Sequence, residues 1–404
     1  MEENLAEIRF FLGDNSHFCC RNQTLGTAMN DPLSPQLRDL LALSLVPGLG
    51  PKLTAALLTR FGSAGAVRAA SEDQLRQVPL IGDKLARQFA GALRSSELDK
   101  ELELINQHGV QLLPLGDKRY PAALAQTAGP PPLLYYRGTP SDANERMVAI
   151  VGSRHCTSYG KRMAETIAAG LTRAGITVIS GLARGIDGAA HRGALEAGGR
   201  TVAVLAGGLS RIYPPEHEEL AEAVAKSGCL FSETPMTVAP QPGMFPARNR
   251  IISGMALGVV IIEAGEKSGA LITADHAAEQ GRELFAVPAN ADSPASAGTL
   301  RLLRDGARLV RDADDILEDL AGLSRVEPRR SAESPREKIA PAAPPELDDN
   351  QRRVWDLVAD GPKHVDQLVQ ATGIAVAPLN GLLMVLEMKK VLRRLPGNMY
   401  ERFR

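Results

Sequence analysis

Residues 147–187 read MVAIVGSRHCTSYGKRMAETIAAGLTRAGITVISGLARGID, and their pattern decides the fold. An apolar run, Met147 to Val151, ends at Gly152-Ser153-Arg154 and gives way to a stretch with apolar residues three and four apart. A second run, Thr177 to Ile179, ends at another glycine-rich turn, Ser180 to Asp187. Short continuous apolar runs suit strands buried on both faces, and a helix between two of them is the crossover that parallel strands need. The alternation continues through Thr201 to Leu205, Cys229 to Phe231, Val259 to Ile262 and Glu283 to Val287. It predicts an α/β fold with a doubly wound parallel sheet from Val110 to about Asp319. Ligands in such sheets sit beyond the carboxyl ends of the strands, so the loops after the runs are where chemistry is expected.

Those loops share a composition. Gly152-Ser153-Arg154, with Ser158 opening the next helix, and Arg184-Gly185 set an arginine among small residues at a helix start, where N–H groups and the helix dipole favour phosphate. A third loop, Ala206-Gly207-Gly208-Leu209, leads to Tyr213-Pro214. A fourth, Gly243 to Arg250, offers Arg248 and Arg250 as bidentate phosphate donors around Asn249, with Phe245 as a face on which a base can stack. The fifth, Glu263 to Ala270, places Lys267 near the same edge. Between Glu145 and Asp187 six basic residues accompany the single acid Glu165, and between Glu233 and Glu263 there are two arginines and no acid. Asp187 and His191 lie one helical turn apart, yet no third ligand has suitable spacing; they read as a helix-capping carboxylate and a hydrogen-bonded structural histidine. The first loop is not GxGxxG, and no acid follows about twenty positions on to hold a ribose, so a dinucleotide cofactor is not expected.

The whole chain sets the frame. Its 404 residues imply about two or three domains. A formal net charge of -1, from 46 Lys plus Arg against 47 Asp plus Glu, excludes a uniformly basic coat. A polyanion would have to be met by charge gathered locally, because screening limits its reach to about 8 Å. The longest apolar candidate, Met255 to Ile262, is far shorter than the roughly 20 residues of a membrane span. The acidic start, with Glu2, Glu3 and Glu7, is not that of a secretory leader. Cys19, Cys20, Cys156 and Cys229 show no zinc-type spacing and read as free thiols of a reducing cytoplasm, with neither structural metal nor cofactor expected.

Composition divides the chain into a tail (1–30, with Met29 a second candidate start), a helical region (31–109), the sheet region (110–322), a linker rich in Pro, Ala, Ser and charge (323–346), and a small helical unit with a hairpin (347–404). The helical region holds two similar turns, Val46-Pro47-Gly48-Leu49-Gly50-Pro51-Lys52 and Val78-Pro79-Leu80-Ile81-Gly82-Asp83-Lys84. The first has helix-hairpin-helix form, which makes Gly48, Gly50 and Lys52 candidate secondary DNA contacts; the second has lost one glycine. The last unit has the layout of a winged helix. Its Lys389, Lys390, Arg393 and Arg394 suggest a basic wing on duplex DNA, whereas its recognition stretch, Gly373 to Leu386, is nearly uncharged, which leaves protein docking equally open.

Taken together, IVGSR, SGLARGID with AH beyond it, YPPEH, SETP, FPARNRIISG, EAGEKSGALITADHA and GRELFAVPA resemble the DprA/Smf family of DNA processing proteins over about residues 35 to 322. The resemblance implies an extended Rossmann-like domain preceded by a SAM-like domain and followed by a winged helix. It implies a non-catalytic protein that binds single-stranded DNA without sequence preference, protects incoming strands in natural transformation, relieves the block from single-strand-binding protein and loads RecA. By the same resemblance, Gly152, Ser153, Arg154, Arg184, Arg248 and Arg250 line the strand-binding pocket, and the chain is a homodimer with Thr299, Leu300, Leu302 and Leu303 as candidate dimer surface. The chain departs from the family at Ala289, Leu300 and His217, where members commonly carry Gly, Asn and Asn. An alternative is a nucleotide-binding enzyme similar to the Rossmann-like nucleoside monophosphate phosphoribohydrolases. Their PGGxGTxxE run is absent from the corresponding Gly265 to Ile272.

Overall fold

The computed structural model describes residues 33–94, 97–140, 142, 145–323, 347–358, 363–389, 391–395 and 399–402. Two compact units divide the chain, Met1–Glu327 and Pro328–Arg404. The expected tail and most of the expected linker, with Cys19, Cys20 and Met29, lie outside the described residues.

The described residues of the larger unit open with six helices: α1 (Pro35–Ser44), α2 (Pro51–Phe61), α3 (Ala64–Ala69), α4 (Glu72–Arg76), α5 (Asp83–Arg94) and α6 (Leu98–Gln107). Serines cap three of them, Ser34 before α1, Ser63 before α3 and Ser71 before α4, each accepting a first-turn N–H. The turns into α2 and α5 are the two sequence-similar hairpins, and they share one conformation. Leu49 N–H donates to Val46 O at 3.1 Å, and Ile81 N–H donates to Val78 O at 3.1 Å. Gly48 has φ +81°, and Leu80, in the equivalent place, is forced to φ +74° with its side chain 76% exposed. The lost glycine has therefore left the hairpin intact at the cost of a strained leucine.

A nine-stranded sheet follows: β1 (Gln111–Pro114), β2 (Leu133–Gly138), β3 (Met147–Val151), β4 (Thr177–Ser180), β5 (Thr201–Val204), β6 (Cys229–Ser232), β7 (Gly258–Ile261), β8 (Glu283–Ala286) and β9 (Arg308–Leu309). Their spatial order is β1-β2-β6-β5-β4-β3-β7-β8-β9. The pairs β1–β2 and β2–β6 are antiparallel and all others are parallel, with Val148 opposite Val178 and Gly258 in the two neighbours of β3. From β3 the chain steps outward to β6, then returns to place β7 on the other side of β3. That reversal makes the gap between β3 and β7 the topological switch point.

Eight helices accompany the strands: α7 (Ala122–Ala125), α8 (Ser158–Arg173), α9 (Ile186–Glu196), α10 (Glu218–Ser227), α11 (Met244–Met255), α12 (Gly269–Glu279), α13 (Ala297–Arg304) and α14 (Ala313–Leu323). The pleat of β3 shows why both faces must be covered. Met147, Ala149 and Val151 pack with Ile251 and Met255 of α11 and Ala274 of α12. Val148 and Ile150 pack with Ile167 and Leu171 of α8, Ala190 of α9 and Ile316 of α14.

Helices α1 and α6 share a core with the sheet: Leu41 and Ile105 pack with Leu112, Tyr135, Leu230 and Val224. Glu101 of α6, almost fully buried, accepts the Met236 N–H at 2.7 Å. The sequence-based border at residue 109 thus falls within one continuous core. Two of the four residues expected to form a dimer surface are interior. Thr299 is fully buried with its hydroxyl donating to Ser296 O at 2.9 Å, and Leu302 joins the core under β3. The amphipathic turn of α13 faces its own sheet and leaves Leu300 and Leu303 half-buried.

The smaller unit comprises α15 (Asp349–Leu357), β10 (Lys363–His364), α16 (Val365–Thr372), α17 (Val376–Met388), β11 (Leu392–Leu395) and β12 (Met399–Arg402), with strand order β10-β12-β11. Val354, Leu368, Leu379, Leu383 and Leu386 fill its core. Among the described residues of the whole chain, no single helix is long and apolar enough to cross a membrane.

Because an exposed leucine gains nothing from left-handed backbone, Leu80→Gly is expected to stabilise the larger unit by about 0.5 kcal/mol. That is the roughly 1–2 kcal/mol of relieved strain less the added flexibility of the unfolded chain. A urea titration followed by circular dichroism checks the sign.

Candidate nucleic-acid interface

The carboxyl ends of β3, β4 and β5 open onto one edge of the sheet, where the segments leaving them meet. Gly185 makes that meeting possible. It lies at φ +74°, and a Cβ there would come within 2.2 Å of the Ser153 carbonyl oxygen, so the turn after β4 lies directly on the turn after β3. Ile186 N–H donates to the same carbonyl at 3.2 Å. Leu182 is also left-handed, at φ +56°, and is fully buried. Its carbonyl accepts the Nδ1–H of His217 at 2.9 Å, so this histidine helps hold a strained turn.

Beneath these turns lies Arg248 of α11, only 5% exposed. Its Nη1 donates to Gly181 O at 2.8 Å and also to Val204 O, joining the ends of β4 and β5. Burial pulls its pKa down to about 10, opposed by the Asp187 carboxylate. Asp187 is itself buried, accepts the Ala183 N–H at 3.4 Å, and has its pKa pushed up by burial against the pull of Arg248. Arg248 therefore faces inward, which corrects the expectation that it offers its fork to a phosphate. Carbonyls stranded at the ends of two parallel strands need donors, and this guanidinium supplies them. Arg250 is likewise engaged, by the Glu233 carboxylate and by Gly129 O at 2.8 Å, while Asn249 Nδ2 donates to Gly269 O at 3.5 Å. Asp187 lies in the first turn of α9 and fastens the loop ahead of it, with Gly185 at the cap position.

The backbone nest expected at the start of α8 is occupied from within. Glu263, at the end of β7 and 2% exposed, accepts the Thr157 N–H at 3.0 Å and its hydroxyl at 2.6 Å. Ser153 N–H donates to the Glu263 carbonyl at 2.7 Å, His155 N–H to Ser153 Oγ at 3.1 Å, and Gly160 N–H to Thr157 Oγ1 at 3.1 Å. A Cβ on Gly160 would sit 2.6 Å from the Glu263 carboxylate. The switch point thus holds the protein's own anion at a helix N-terminus, so these N–H groups are not presented to a phosphate.

What remains open at this edge is made of side chains. The exposed Arg154 guanidinium lies over the Phe245 ring at 4.4 Å from its centroid. Phe245 and Tyr213 have centroids 5.8 Å apart with planes tilted by 57°. Arg184, also exposed, lies 5.8 Å from the Tyr213 centroid. The result is a row of cation, ring, ring and cation contributed by the ends of β3, β6, β5 and β4. A shallow pocket beside it is lined by Gly181, Ala206, Gly207, Arg211, Tyr213 and Arg248, among others. Ser158 is exposed at the start of α8, and Lys267 is exposed after β7, across β3 from the row. Under the row, His191 is fully buried. Thr201 Oγ1 donates to Val178 O at 2.8 Å, so the 2.8 Å contact with His191 uses the ring's Nδ1–H. Burial pulls this histidine's pKa down to about 3. Among the described residues no group of three or more His, Cys, Asp or Glu could hold a metal.

A family model described as DNA recombination-mediator protein A matches residues 111–321. The protein Smf of Synechocystis is 33% identical over 393 residues, covering 90% of this chain and 98% of its own. The chain belongs to the DNA recombination-mediator protein A family. Other relatives of that DprA/Smf family include the DNA processing protein DprA of Bacillus subtilis, 41% identical over 55% of this chain and 76% of its own. The X-ray structure of DprA from Streptococcus pneumoniae superposes with a TM-score of 0.61 at 31% identity, covering 70% of this chain and 97% of that one. Residues 38–94 match a SAM-like helix-hairpin-helix tandem and 338–398 a DprA winged helix domain. The α/β class, the parallel-dominated sheet and both flanking modules read from the sequence are therefore those of the DprA family.

Of the residues singled out in the sequence, Arg154, Arg184 and Phe245 come together, with Gly152 and Gly185 packing the turns that carry the two arginines. Sequence reasoning passed over Tyr213 as a ring and Glu263 as a plug. An aromatic just before a proline in a loop between two glycine-rich turns was the available signal for the first; the second shows only once β7 lies beside β3. Away from this edge, Lys52 is exposed beside Gly48 and Gly50. In the smaller unit Lys389 donates to Gln351 Oε1 at 3.3 Å and Arg393 pairs with Glu401, while Lys390 and the Arg394 side chain lie outside the described residues.

Two outcomes follow from the buried groups. Arg248→Ala leaves carbonyls unpaired and Asp187 uncompensated, and is expected to cost about 3 kcal/mol of stability, against less than about 0.5 kcal/mol for Arg154→Ala; thermal melts of both variants make the comparison. His191 has a folded pKa far below the ordinary histidine value of 6.5, so the unfolded chain takes up the proton first. Its contribution to stability is full above pH 6.5 and falls by about 1.4 kcal/mol per pH unit on acidification toward the folded value. Denaturant midpoints between pH 7 and pH 5 measure the fall, and His191→Asn is expected to flatten it.

Proposed function

We propose that this chain binds single-stranded DNA without reading its sequence, protects strands entering the cell in natural transformation, and passes them to RecA. The observation that carries the reading is the row formed by Arg154, Phe245, Tyr213 and Arg184. Guanidinium groups hold phosphates of any sequence, and aromatic rings stack on any base, so a row that sets two rings between two cations suits an unpaired strand rather than a duplex, whose bases are already stacked. Its partners are then RecA and the single-strand-binding protein whose block must be relieved. A homodimer would hold one strand at two such rows and gain by effective concentration. The reading is of a cytoplasmic binding protein and not an enzyme, with a role in repair as well as in transformation.

For the winged helix, docking on a protein is favoured over reading a duplex. Helix α17 carries no basic residue and exposes Val376, Met384, Val385 and Met388, whereas a recognition helix in a major groove needs polar groups toward base edges.

Fluorescence anisotropy with labelled oligo-dT tests the strand site. Arg154→Ala and Phe245→Ala are each expected to weaken binding by roughly tenfold, the scale of one charge-assisted contact or one stacked base. Equal affinity for wild type and both variants at physiological salt would remove the row from the binding site. A strand-exchange assay with RecA and single-strand-binding protein tests the handover: filament formation restored by the wild type and lost in the double variant is the expected result.

A further inference from the structure

The two cations of the row differ in what holds them. Among the described residues no acid forms an ion pair with Arg154, whose guanidinium rests on Phe245 alone. Arg184, by contrast, is gripped by both carboxylate oxygens of Glu216, through Nε to Oε1 and through Nη2 to Oε2 at 3.0 Å. Glu216 sits in a short turn, Pro215–His217, whose next residue, His217, is fastened to the Leu182 carbonyl. The carboxylate is thereby delivered to Arg184 by the same loop that supplies Tyr213. Both members of the pair are about half exposed, 46% and 50%, so the contact lies in solvent where an incoming anion can reach it. The fork-to-fork arrangement is the one a phosphate diester would adopt on the same guanidinium.

We infer that Glu216 is a phosphate mimic that caps Arg184 and is displaced only by a nucleic-acid strand already anchored at Arg154. The inference rests on the single-strand reading above and adds a specificity-determining residue to it. Replacing one bidentate anion by another gains little, so an isolated nucleotide arriving at Arg184 has small advantage over the tethered carboxylate. A strand held at Arg154 presents its next phosphates at high effective concentration and outcompetes Glu216. The cap thus discriminates polymer from monomer, which a protein working amid free nucleotides needs. The exchange also lowers the number of cations released on binding, since Arg184 enters it already neutralised.

The test is oligo-dT anisotropy over a series of KCl concentrations with wild type, Glu216→Gln, Arg184→Ala and the double variant, with melting curves to show that each is folded. Glu216→Gln is expected to bind about three- to tenfold tighter near 0.1 M salt, with a log–log salt slope steeper by up to about 0.7, because no freed carboxylate takes back a cation when the phosphate reaches Arg184. Free AMP as competitor is expected to inhibit Glu216→Gln several-fold better than the wild type. In the Arg184→Ala background the same substitution is expected to change nothing. Unchanged or weaker binding by Glu216→Gln, a gain that persists without Arg184, or an unaltered response to AMP would each overturn the inference. Absence of oligo-dT binding by the wild type at low salt would instead overturn the single-strand reading itself, and the cap with it.

Discussion

Everything presented at the carboxyl edge of the sheet depends on one buried guanidinium. Parallel strands end with carbonyls that no neighbour in the sheet can satisfy, and here the ends of β4 and β5 lie side by side under turns too tight to supply donors of their own. Arg248 reaches up from α11 and donates to Gly181 O and Val204 O. Its position requires residue 181 to lack a side chain: a Cβ on Gly181 would meet the guanidinium at 2.5 Å. With the strand ends joined, the left-handed Leu182 and the Gly185 turn can pass over the turn after β3, and Arg184 and Arg154 emerge on the same side. Burying a cation is expensive unless its partners are well placed, and the reduced pKa of Arg248 records that expense. The base of the site is therefore tied together by buried hydrogen bonds, and the groups at its surface are long side chains, an order that suits a ligand with a flexible backbone.

The second constraint is electrostatic and runs against the usual design of this architecture. Doubly wound sheets commonly take a phosphate at the N-terminus of the helix after the first parallel strand, at the switch point. In this chain Glu263 fills that position from β7, and the N–H groups of Ser153 and Thr157 are spent on its carbonyl and carboxylate. A carboxylate there stabilises the start of α8 as a bound phosphate would, but permanently. The cations left at this edge are consequently side chains, Arg154 after β3 and Arg184 after β4, rather than backbone N–H groups.

How far the sequence foretold this can be judged residue by residue. The strands were legible because their apolar runs are uninterrupted, and the helices between them because Ile167 and Leu171 recur at helical spacing; each of the six runs is a strand to within two residues. The arginines were legible as a set, through their company of glycines and the scarcity of nearby acids. Their orientations were not. Arg248 and Arg250 are two residues apart on one helix, flanked by the same motif, and both turn to protein acceptors, Glu233 among them, which comes from the far end of β6. Counting charge between two acids assigned Glu233 to the boundary of a basic stretch, whereas in three dimensions it neutralises that stretch. Burial of Thr299 and Leu302 was hidden for a similar reason, since the apolar side of an amphipathic helix reads the same whether it meets its own sheet or a second copy.

That lesson bears on the formal charge of -1. A chain of nearly equal acids and bases has two ways to hold a polyanion: to segregate its charges, or to pair them and leave few unpaired. Here three of the basic residues at issue are paired, Arg250 with Glu233, Arg184 with Glu216 and Arg393 with Glu401, and Arg248 is buried against backbone carbonyls. Of the two cations in the row, Arg154 has no acid partner among the described residues, and it stands beside rings that do not depend on charge at all. Binding built on a few cations and a pair of aromatic faces is less sensitive to salt than binding built on a basic coat, because fewer counterions are released while the stacking contribution persists. A near-neutral protein of this kind also has little attraction for duplex DNA at large, whose phosphates are plentiful but whose bases are closed to its rings. Selectivity for the unpaired strand can then follow from having too little charge rather than from having more.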